Sequence, residues 1–158
     1  MSANISIVVK NLQKKVKNIQ DNVFPKLAGN IAVKMFKDNF QNEGFFGKRW
    51  KEVLRRQNYT RQVMGKNGKM RNVQIKKAKG AKGLRKILSG DTANLGRSIQ
   101  VLRIGKGEVE VGTDVYYGAF HNGGTQKLPQ RQFIGQHEKL TNEITKRLER
   151  EIAKILGG

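Results

Sequence analysis

The sequence predicts an α+β fold, because helical periodicity at both ends of the chain encloses a strand pattern in its second half. With 158 residues, the chain has the length of one compact domain, since domains most often comprise about 100 to 150 residues. We therefore expect a single domain over residues 1–158. It should have N-terminal helices, a small antiparallel β-sheet or hairpin, a C-terminal helix and one long basic loop or arm.

Two amphipathic helices are predicted at the N-terminus. Apolar residues recur at steps of three and four over Ile5–Val23 and again over Leu27–Phe40, and this spacing places side chains on one helical face. Asn4 is the expected N-cap of the first helix. An interruption is expected at Phe24-Pro25, because the residue before a proline disfavours helical dihedral angles.

A β-hairpin and a last helix complete the ordered elements. The segments Ser98–Ile104 and Glu108–Thr113 are joined by a glycine turn, and in the second of them valines alternate with glutamates, as expected of paired strands. After Pro129, apolar residues at helical spacing over Leu140–Ile155 predict the terminal helix.

The loop between the second helix and the basic arm is rich in aromatic residues. Phe45, Phe46 and Trp50 lie among glycines within residues 42–50, and the segment has neither a helical nor a strand period. We expect an ordered loop that is held by its own rings. The rings are either part of the core or anchors of an interface, where tryptophan is enriched.

The basic arm extends over about residues 53–90. It contains no Asp or Glu but twelve Lys or Arg residues, which predicts a mobile hairpin or a partly disordered segment. Only Val73 and Ile75 suggest a strand, and a helical turn is expected at Leu84–Leu88. The candidate residues for binding a polyanion or a protein partner are Arg55, Arg56, Arg61, Lys76, Lys77, Lys79 and Lys82.

The net charge of the chain indicates which classes of partner it can attract. The 32 Lys and Arg exceed the 12 Asp and Glu, so the formal charge is +20, which attracts nucleic acid, acidic proteins or anionic membrane surfaces. No zinc finger or RNA-binding aromatic motif is recognisable. The chain has no cysteine, which is compatible with a reducing cytoplasm, and no signal peptide or membrane span is expected.

The sequence offers little for catalysis. The two histidines, His121 and His137, are sixteen positions apart without cysteine partners, so neither a zinc site nor a cofactor site is expected. Most of the later acids alternate with Lys and Arg in the last helix. Asp91 and Asp114 remain as isolated ligand candidates for a two-metal nuclease, which needs several carboxylates. We therefore expect no catalytic site and no enzyme.

Four stretches, taken in order, resemble the virion morphogenesis or tail completion family of Mu-like phages and prophages. The first stretch, Phe40–Trp50, is similar to that family's helix-ending Phe, which is followed by a short glycine loop and Lys-x-Trp. The second stretch, Ile87–Ile99, is similar to the family's Leu, which is followed by Asp-Thr-Gly-x-Leu and then by Ser-Ile. Val111–Gly124 resembles its Val-Gly-Thr, Tyr-Ala and His-x-x-Gly. Leu128–Gly135 resembles its Ile-Pro-x-Arg-x-Phe-Leu-Gly. The sequence departs from the pattern at Ala93, where the family has glycine, and by an extra Gly90.

The resemblance implies a structural protein of a phage particle that is assembled in the host bacterial cytoplasm. It would act at the end of the tail or in the neck, as a homo-oligomeric ring that contacts other tail or neck proteins. The arm would then engage a neighbouring subunit or an acidic partner, and nucleic-acid binding would be non-specific. A DNA-binding packaging or nucleoid-type protein is the alternative that the charge supports.

Physical roles follow for the motif residues near the last helix. Pro129 is expected to fix the entry to that helix, and Phe133 to anchor it in the core. Arg131 is expected to hold a carboxylate or a carbonyl with two N–H groups.

The third stretch is expected to end in a turn. Gly123 and Gly124 would supply positive φ angles there. His121 would be a hydrogen-bonded turn residue, with a pH switch as the alternative.

Overall fold

The computed structural model describes residues 5–90 and 92–156 and confirms the α+β fold. Asn4, Asp91 and the closing Gly157-Gly158 lie outside the described residues. The helices are α1 (Ile5–Asn18), α2 (Phe24–Gln41), α3 (Ala81–Leu84), α4 (Asn94–Arg97), α5 (Gly118–Gly123) and α6 (Glu138–Leu156). The strands are β1 (Gly44–Phe45), β2 (Lys48–Arg49), β3 (Tyr59–Met64), β4 (Met70–Ile75), β5 (Gln100–Gly105) and β6 (Glu108–Gly112), which form three antiparallel pairs.

A π-helical turn over Ile19–Val23 joins α1 directly to α2. The expected interruption at Phe24-Pro25 is therefore wrong, because Phe24 keeps helical dihedral angles of φ −60° and ψ −49°. The helical path accommodates Pro25 because the turn before it has π-type hydrogen bonds, in which the Phe24 N–H donates to the Ile19 carbonyl five residues back. The wider π turn before it changes the helical path without ending it.

Helix α2 is the centre of the body and packs against both α6 and the β5–β6 hairpin. The hairpin lies very close to the helix at Gly29, where an added Cβ would be 2.9 Å from side-chain methyl carbons of Val101 and Val109. This glycine therefore sets the distance between helix and sheet. The strands were predicted correctly, and their pairing is irregular between Val101 and Arg103.

The hydrophobic core lies at the C-terminal half of α2. Phe40 packs edge-on against Trp50 with ring centroids 5.5 Å apart, and it contacts Phe133 at 5.0 Å. The buried cluster consists of Ala32, Phe36, Phe40, Trp50, Ile87, Leu95, Ile99 and Phe133. Phe133 is therefore the core anchor that the sequence predicts.

Three local predictions are wrong. The helical turn expected at Leu84–Leu88 is α3, which ends at Leu84, and Leu88 has a left-handed φ of 60°. The turn expected at residues 121–124 is the end of α5, which continues to Gly123. Pro129 does not start the last helix, because α6 begins at Glu138.

The basic arm forms a long hairpin. Strands β3 and β4 pair over their whole length, from Tyr59 opposite Ile75 to Met64 opposite Met70. The expected hairpin is present, and its strands are longer than the short strand suggested by Val73 and Ile75. No helix in the described part of the chain is long and apolar enough to cross a membrane.

Candidate interaction surfaces

The first and fourth motif stretches are bound to each other at the centre of the body. The indole Nε1 of Trp50 donates a 2.7 Å hydrogen bond to the carbonyl of Gln132. Arg131 is 8% exposed, and its Nε and Nη2 both donate to the carbonyl of Lys51, at 3.3 and 3.2 Å. The expectation that Arg131 grips a carbonyl with two N–H groups is confirmed.

Two asparagines, which the sequence analysis did not single out, complete this junction. Buried Asn39 donates from Nδ2 to the carbonyl of Phe133 at 3.1 Å and accepts from the Phe46 N–H at 3.0 Å. The Oδ1 of Asn122 accepts from the N–H groups of Phe133 and Ile134, at 2.9 and 3.0 Å. Asn39 was detectable from the sequence, because it lies on the apolar face of α2 between the core phenylalanines.

The aromatic loop is pinned against the start of α6. Phe46 stacks on His137 with centroids 4.4 Å apart, and Phe45 meets Phe46 edge-on at 4.7 Å. Lys139 Nζ donates to the Phe46 carbonyl at 3.0 Å. The prediction of a loop held by its own rings is confirmed. Trp50 is buried in the core, whereas Phe45 and Phe46 are half-buried.

An ion pair ties the start of the basic arm to the body. Arg56 donates from Nη1 and Nη2 to the two carboxylate oxygens of Glu43, at 2.8 and 2.7 Å. The same carboxylate accepts from the Ile87 N–H at 2.6 Å. These bonds, led by the one from Arg56, hold the pKa of Glu43 below its ordinary value. The carboxylate in turn raises the pKa of Arg56.

Two of the candidate arm cations therefore belong to the body. Arg55 donates from Nη2 to the carbonyls of Arg85 and Lys86, at 2.8 and 3.1 Å, and Arg56 also donates to the carbonyl of Arg85. The other five candidates are exposed: Arg61, Lys76, Lys77, Lys79 and Lys82. The cations available to a partner are thus these five exposed residues, which take no part in the bonds that Arg55 and Arg56 make with the body.

A cleft of about 360 Å³ lies beside this base and is lined by Arg55, Arg131 and His121, among other residues. Two of its buried nitrogens, Arg55 Nε and His121 Nδ1, have no hydrogen-bond partner among the described residues. Burial and the charge of Arg131 lower the pKa of His121. The prediction that His121 is a hydrogen-bonded turn residue is therefore wrong, because the residue belongs to α5 and its Nδ1 has no partner among the described residues. Its ring borders a cleft lined by arginines, and such a lining suits a carboxylate or phosphate group.

Positive φ angles occur at one of the two predicted glycines. Gly124 has φ +76°, and a Cβ there would be 2.9 Å from the backbone nitrogen of Gln130. Gly123 is the last residue of α5 and is not among the positive-φ residues. Ala93, where the family pattern has glycine, has φ +53°. This left-handed conformation favours glycine.

An apolar surface covers one side of α1 and continues towards α6. Val9, Leu12 and Val16 are 45%, 49% and 47% exposed, and their spacing places them on one helical face. A cleft of about 350 Å³ follows, lined by Val16, Ile19, Gln20, Phe24, Leu148 and Ile152. Because Val16 belongs to both, the α1 face and the cleft form one continuous apolar surface.

Neither a metal site among the described residues nor a comparison with known proteins assigns a function to these surfaces. In residues 5–90 and 92–156, no group of three histidine, aspartate or glutamate residues is arranged to hold a metal ion. Asp114 is exposed. Comparisons of the chain with protein-family models, curated proteins and solved structures find no match.

Proposed function

We propose that the chain is a structural protein of a tailed phage or prophage particle, which acts in tail completion or head–tail joining through protein–protein contacts. One observation carries this proposal: the four stretches that resemble the virion morphogenesis family build a single core. Of the eight buried core residues, six lie in those stretches. They are Phe40, Trp50, Ile87, Leu95, Ile99 and Phe133.

The polar contacts between the stretches support the same proposal. Trp50 of the first stretch binds the carbonyl of Gln132 in the fourth, and Asn122 of the third binds the N–H group of Phe133 in the fourth. Arg131 of the fourth stretch binds the carbonyl of Lys51, the residue that follows the first stretch. Contacts between these stretches are what the proposal expects if the motif residues form the body of the protein. Partner contacts would then fall on the surfaces outside this core.

The continuous apolar surface of α1 and the α6 cleft is the proposed subunit contact. The two ends of this continuous surface differ in shape, because the α1 end at Val9 and Leu12 is an exposed helix face and the other end is a cleft. If the helix face of one copy packs into the cleft of the next, the contact is heterologous, and such contacts generate closed rings when their rotation closes. The exposed Val9 and Leu12 of one copy would pack into the cleft of the next copy, which Val16, Leu148 and Ile152 line. The ring would join other tail or neck proteins during assembly in the bacterial cytoplasm.

Particles assembled without the protein test the proposed role. We expect tails that fail to finish or to join heads, whereas normal infectious particles without the protein would refute the proposal. Electron microscopy and mass measurement of the pure protein should show a closed ring. A protomer that stays solitary, and that no particle component captures, would contradict the role equally.

A pair of double variants tests the proposed contact. Leu12→Glu with Val16→Glu places two charges on the apolar face of α1 and should convert rings to monomers. Asn11→Glu with Asn18→Glu makes the same charge change away from this face and should leave the rings intact. Equal loss of rings in both variants would show that charge alone, and not the apolar face, controls the oligomer.

The alternative, a DNA-binding packaging or nucleoid-type protein, is favoured by the exposed cations of the arm. It predicts that particles form normally without the protein while DNA packaging or compaction changes. The morphology of particles that lack the protein therefore distinguishes the two functions, whether or not the pure protein binds DNA.

A further inference from the structure

The β3–β4 hairpin stands apart from the rest of the molecule. Its two strands contact each other extensively, whereas the contacts at its base join residues 54–56 to α3, within the arm itself. There the Ala78 N–H donates to the Arg55 carbonyl at 2.7 Å, and the Lys77 N–H donates to Asn58 Oδ1 at 2.8 Å. The hairpin face that carries only exposed side chains is therefore open to a partner.

The hairpin and its base carry a dense set of exposed cations. Between Gln57 and Leu84 there are eight Lys or Arg and no Asp or Glu. All eight are exposed, and none of them takes part in the ion pairs found among the described residues. They are Arg61, Lys66, Lys69, Arg71, Lys76, Lys77, Lys79 and Lys82.

The strand register separates the hairpin into two unlike faces. One face pairs Thr60 with Gln74, Gln62 with Asn72, and Met64 with Met70, and all six residues are exposed. The other face carries Tyr59, Val63, Val73 and Ile75, which are half-buried, together with Arg61 and Arg71. The first face is therefore a row of amides and a hydroxyl that ends in two methionines at the tip.

We propose that this hairpin binds duplex DNA as a two-stranded ribbon in the major groove, with the amide face towards the bases. A two-stranded β-ribbon fits the major groove, which is about 12 Å wide, and glutamine and asparagine hydrogen-bond adenine edges there. The methionine pair at the tip offers apolar contact to thymine methyl groups.

The cations are placed to hold the phosphates on both sides of the groove. Lys66 and Lys69 lie in the turn at the tip, whereas Lys76, Lys77, Lys79 and Lys82 follow β4 at the base. Six residues of strand separate the two groups, a distance of about 20 Å at 3.4 Å per residue. A ribbon that lies along the groove therefore has cations at both of its ends, where they can reach the phosphates that border the groove.

The composition of the hairpin favours DNA over an acidic protein partner. Protein–protein interfaces are depleted in lysine, whereas phosphate contacts from Lys and Arg dominate affinity for DNA. An acidic protein surface would neutralise the lysines but would not use a row of amides that faces away from the apolar side chains. The DNA-binding proposal does not depend on the assembly role, because it concerns the isolated protein.

A salt titration of duplex binding tests the proposal. If six to eight cations contact phosphates, the log–log slope of affinity against salt should be about −5 to −7. The variant with Lys76, Lys77, Lys79 and Lys82 all changed to Gln should have a slope that is flatter by about 3.6, because each phosphate that is no longer neutralised reduces the slope by about 0.9. Changing Lys10, Lys14, Lys15 and Lys17 of α1 to Gln removes the same charge and should leave the slope unchanged.

A second variant tests the placement of the amide face. Gln62→Ala, Asn72→Ala and Gln74→Ala together should lower duplex affinity roughly tenfold without changing the salt slope, because base contacts do not release counterions. The substituted residues are exposed, so thermal unfolding should match that of the unmodified protein. Unchanged affinity would overturn the proposed orientation in the groove.

The remaining outcomes decide between DNA and other partners. An equal effect of the arm and α1 variants would overturn the proposal, because net charge alone would then explain the binding. So would the absence of duplex binding near physiological salt, or displacement of the DNA by polyglutamate at equal charge concentration, which would indicate an acidic protein as the partner. Failure here would leave the particle phenotype of the proposed function unaffected.

Discussion

Replacing Glu43 with glutamine removes the ion pair that anchors the arm. The carboxylate accepts two hydrogen bonds from the Arg56 guanidinium, at 2.8 and 2.7 Å, and one from the Ile87 N–H at 2.6 Å. These partners lie on the two segments that lead into and out of the arm. The substitution keeps the shape of the side chain and removes its charge.

The expected cost is about 2 to 3 kcal/mol. A hydrogen bond to a charged group contributes about 1.5 to 3 kcal/mol, and the glutamine variant turns an amide N–H towards the N–H groups of Arg56. The side chains of Arg56 and Glu43 are 19% and 25% exposed, so solvent screens part of the charge, and the estimate stays within the range of one such bond instead of the sum of three. Since domains are stable by only about 5 to 15 kcal/mol, this loss is readily measured.

The cost should disappear in acid. The pKa of Glu43 is lowered in the folded protein, so its contribution is fully present above the ordinary glutamate pKa of about 4.3 and is lost as the pH falls through the folded value. A protonated carboxyl resembles the amide of glutamine. Wild type and Glu43→Gln should therefore differ at neutral pH and converge below that folded value.

Denaturant unfolding, followed by the fluorescence of the single buried tryptophan, Trp50, measures this difference. Glu52→Gln is the matched control, because the Glu52 side chain is 51% exposed. Among the described residues it forms only one ion pair, in which its Oε1 lies 3.6 Å from Nη1 of Arg56. It should cost less than about 0.5 kcal/mol. The reasoning is refuted if the two variants are equally stable at neutral pH, or if the Glu43→Gln penalty persists in acid.

Two further substitutions should change the free energy of unfolding in opposite directions. Ala93→Gly should stabilise the protein by about 0.5 to 1 kcal/mol, because Ala93 has a left-handed φ of +53°. The same change at Ala153 in α6 should destabilise it by about 1 kcal/mol, and thermal melts that rank the two the other way would contradict the strain argument. Arg131→Lys should cost about 2 kcal/mol, because an ammonium group cannot reproduce the double contact with the Lys51 carbonyl. Exposed Arg103→Lys is its control and should change stability by less than about 0.5 kcal/mol. Equal midpoints of the two variants in urea would show that the contact at Arg131 does not contribute to stability.

The predictable parts of the fold are those encoded by local periodicity. The apolar spacing of α2 and α6 and the alternation in β6 depend on neighbours within a few residues, so the sequence was sufficient for them. The continuity through Phe24-Pro25 was not predictable from the dipeptide, because a π turn upstream changes the geometry that proline meets. Helix α5 was missed because its six residues include three glycines or alanines and no apolar period.

The candidate site was predictable only in part, because its contacts join distant segments. Arg131 was expected to grip a carbonyl, but the choice of Lys51, eighty positions away, depends on the packed core. Arg56 was grouped with the arm cations by its position in a basic run, and only the fold shows that Glu43 neutralises it. Burial likewise determines that His121 lies at a cleft without a partner for Nδ1 among the described residues.

The charge distribution links the two proposals physically. A ring would bring copies of a +20 chain into contact, and like charges at short range oppose such an association. The body uses carboxylates such as Glu43 to neutralise its own arginines, whereas the arm between Val53 and Gly90 has no acid of its own. The eight exposed cations between Gln57 and Leu84 form no ion pair among the described residues, so a partner would have to supply their neutralising charge. Duplex DNA bound by the hairpins would supply it, and the apolar face of α1 would then hold together subunits that otherwise repel one another.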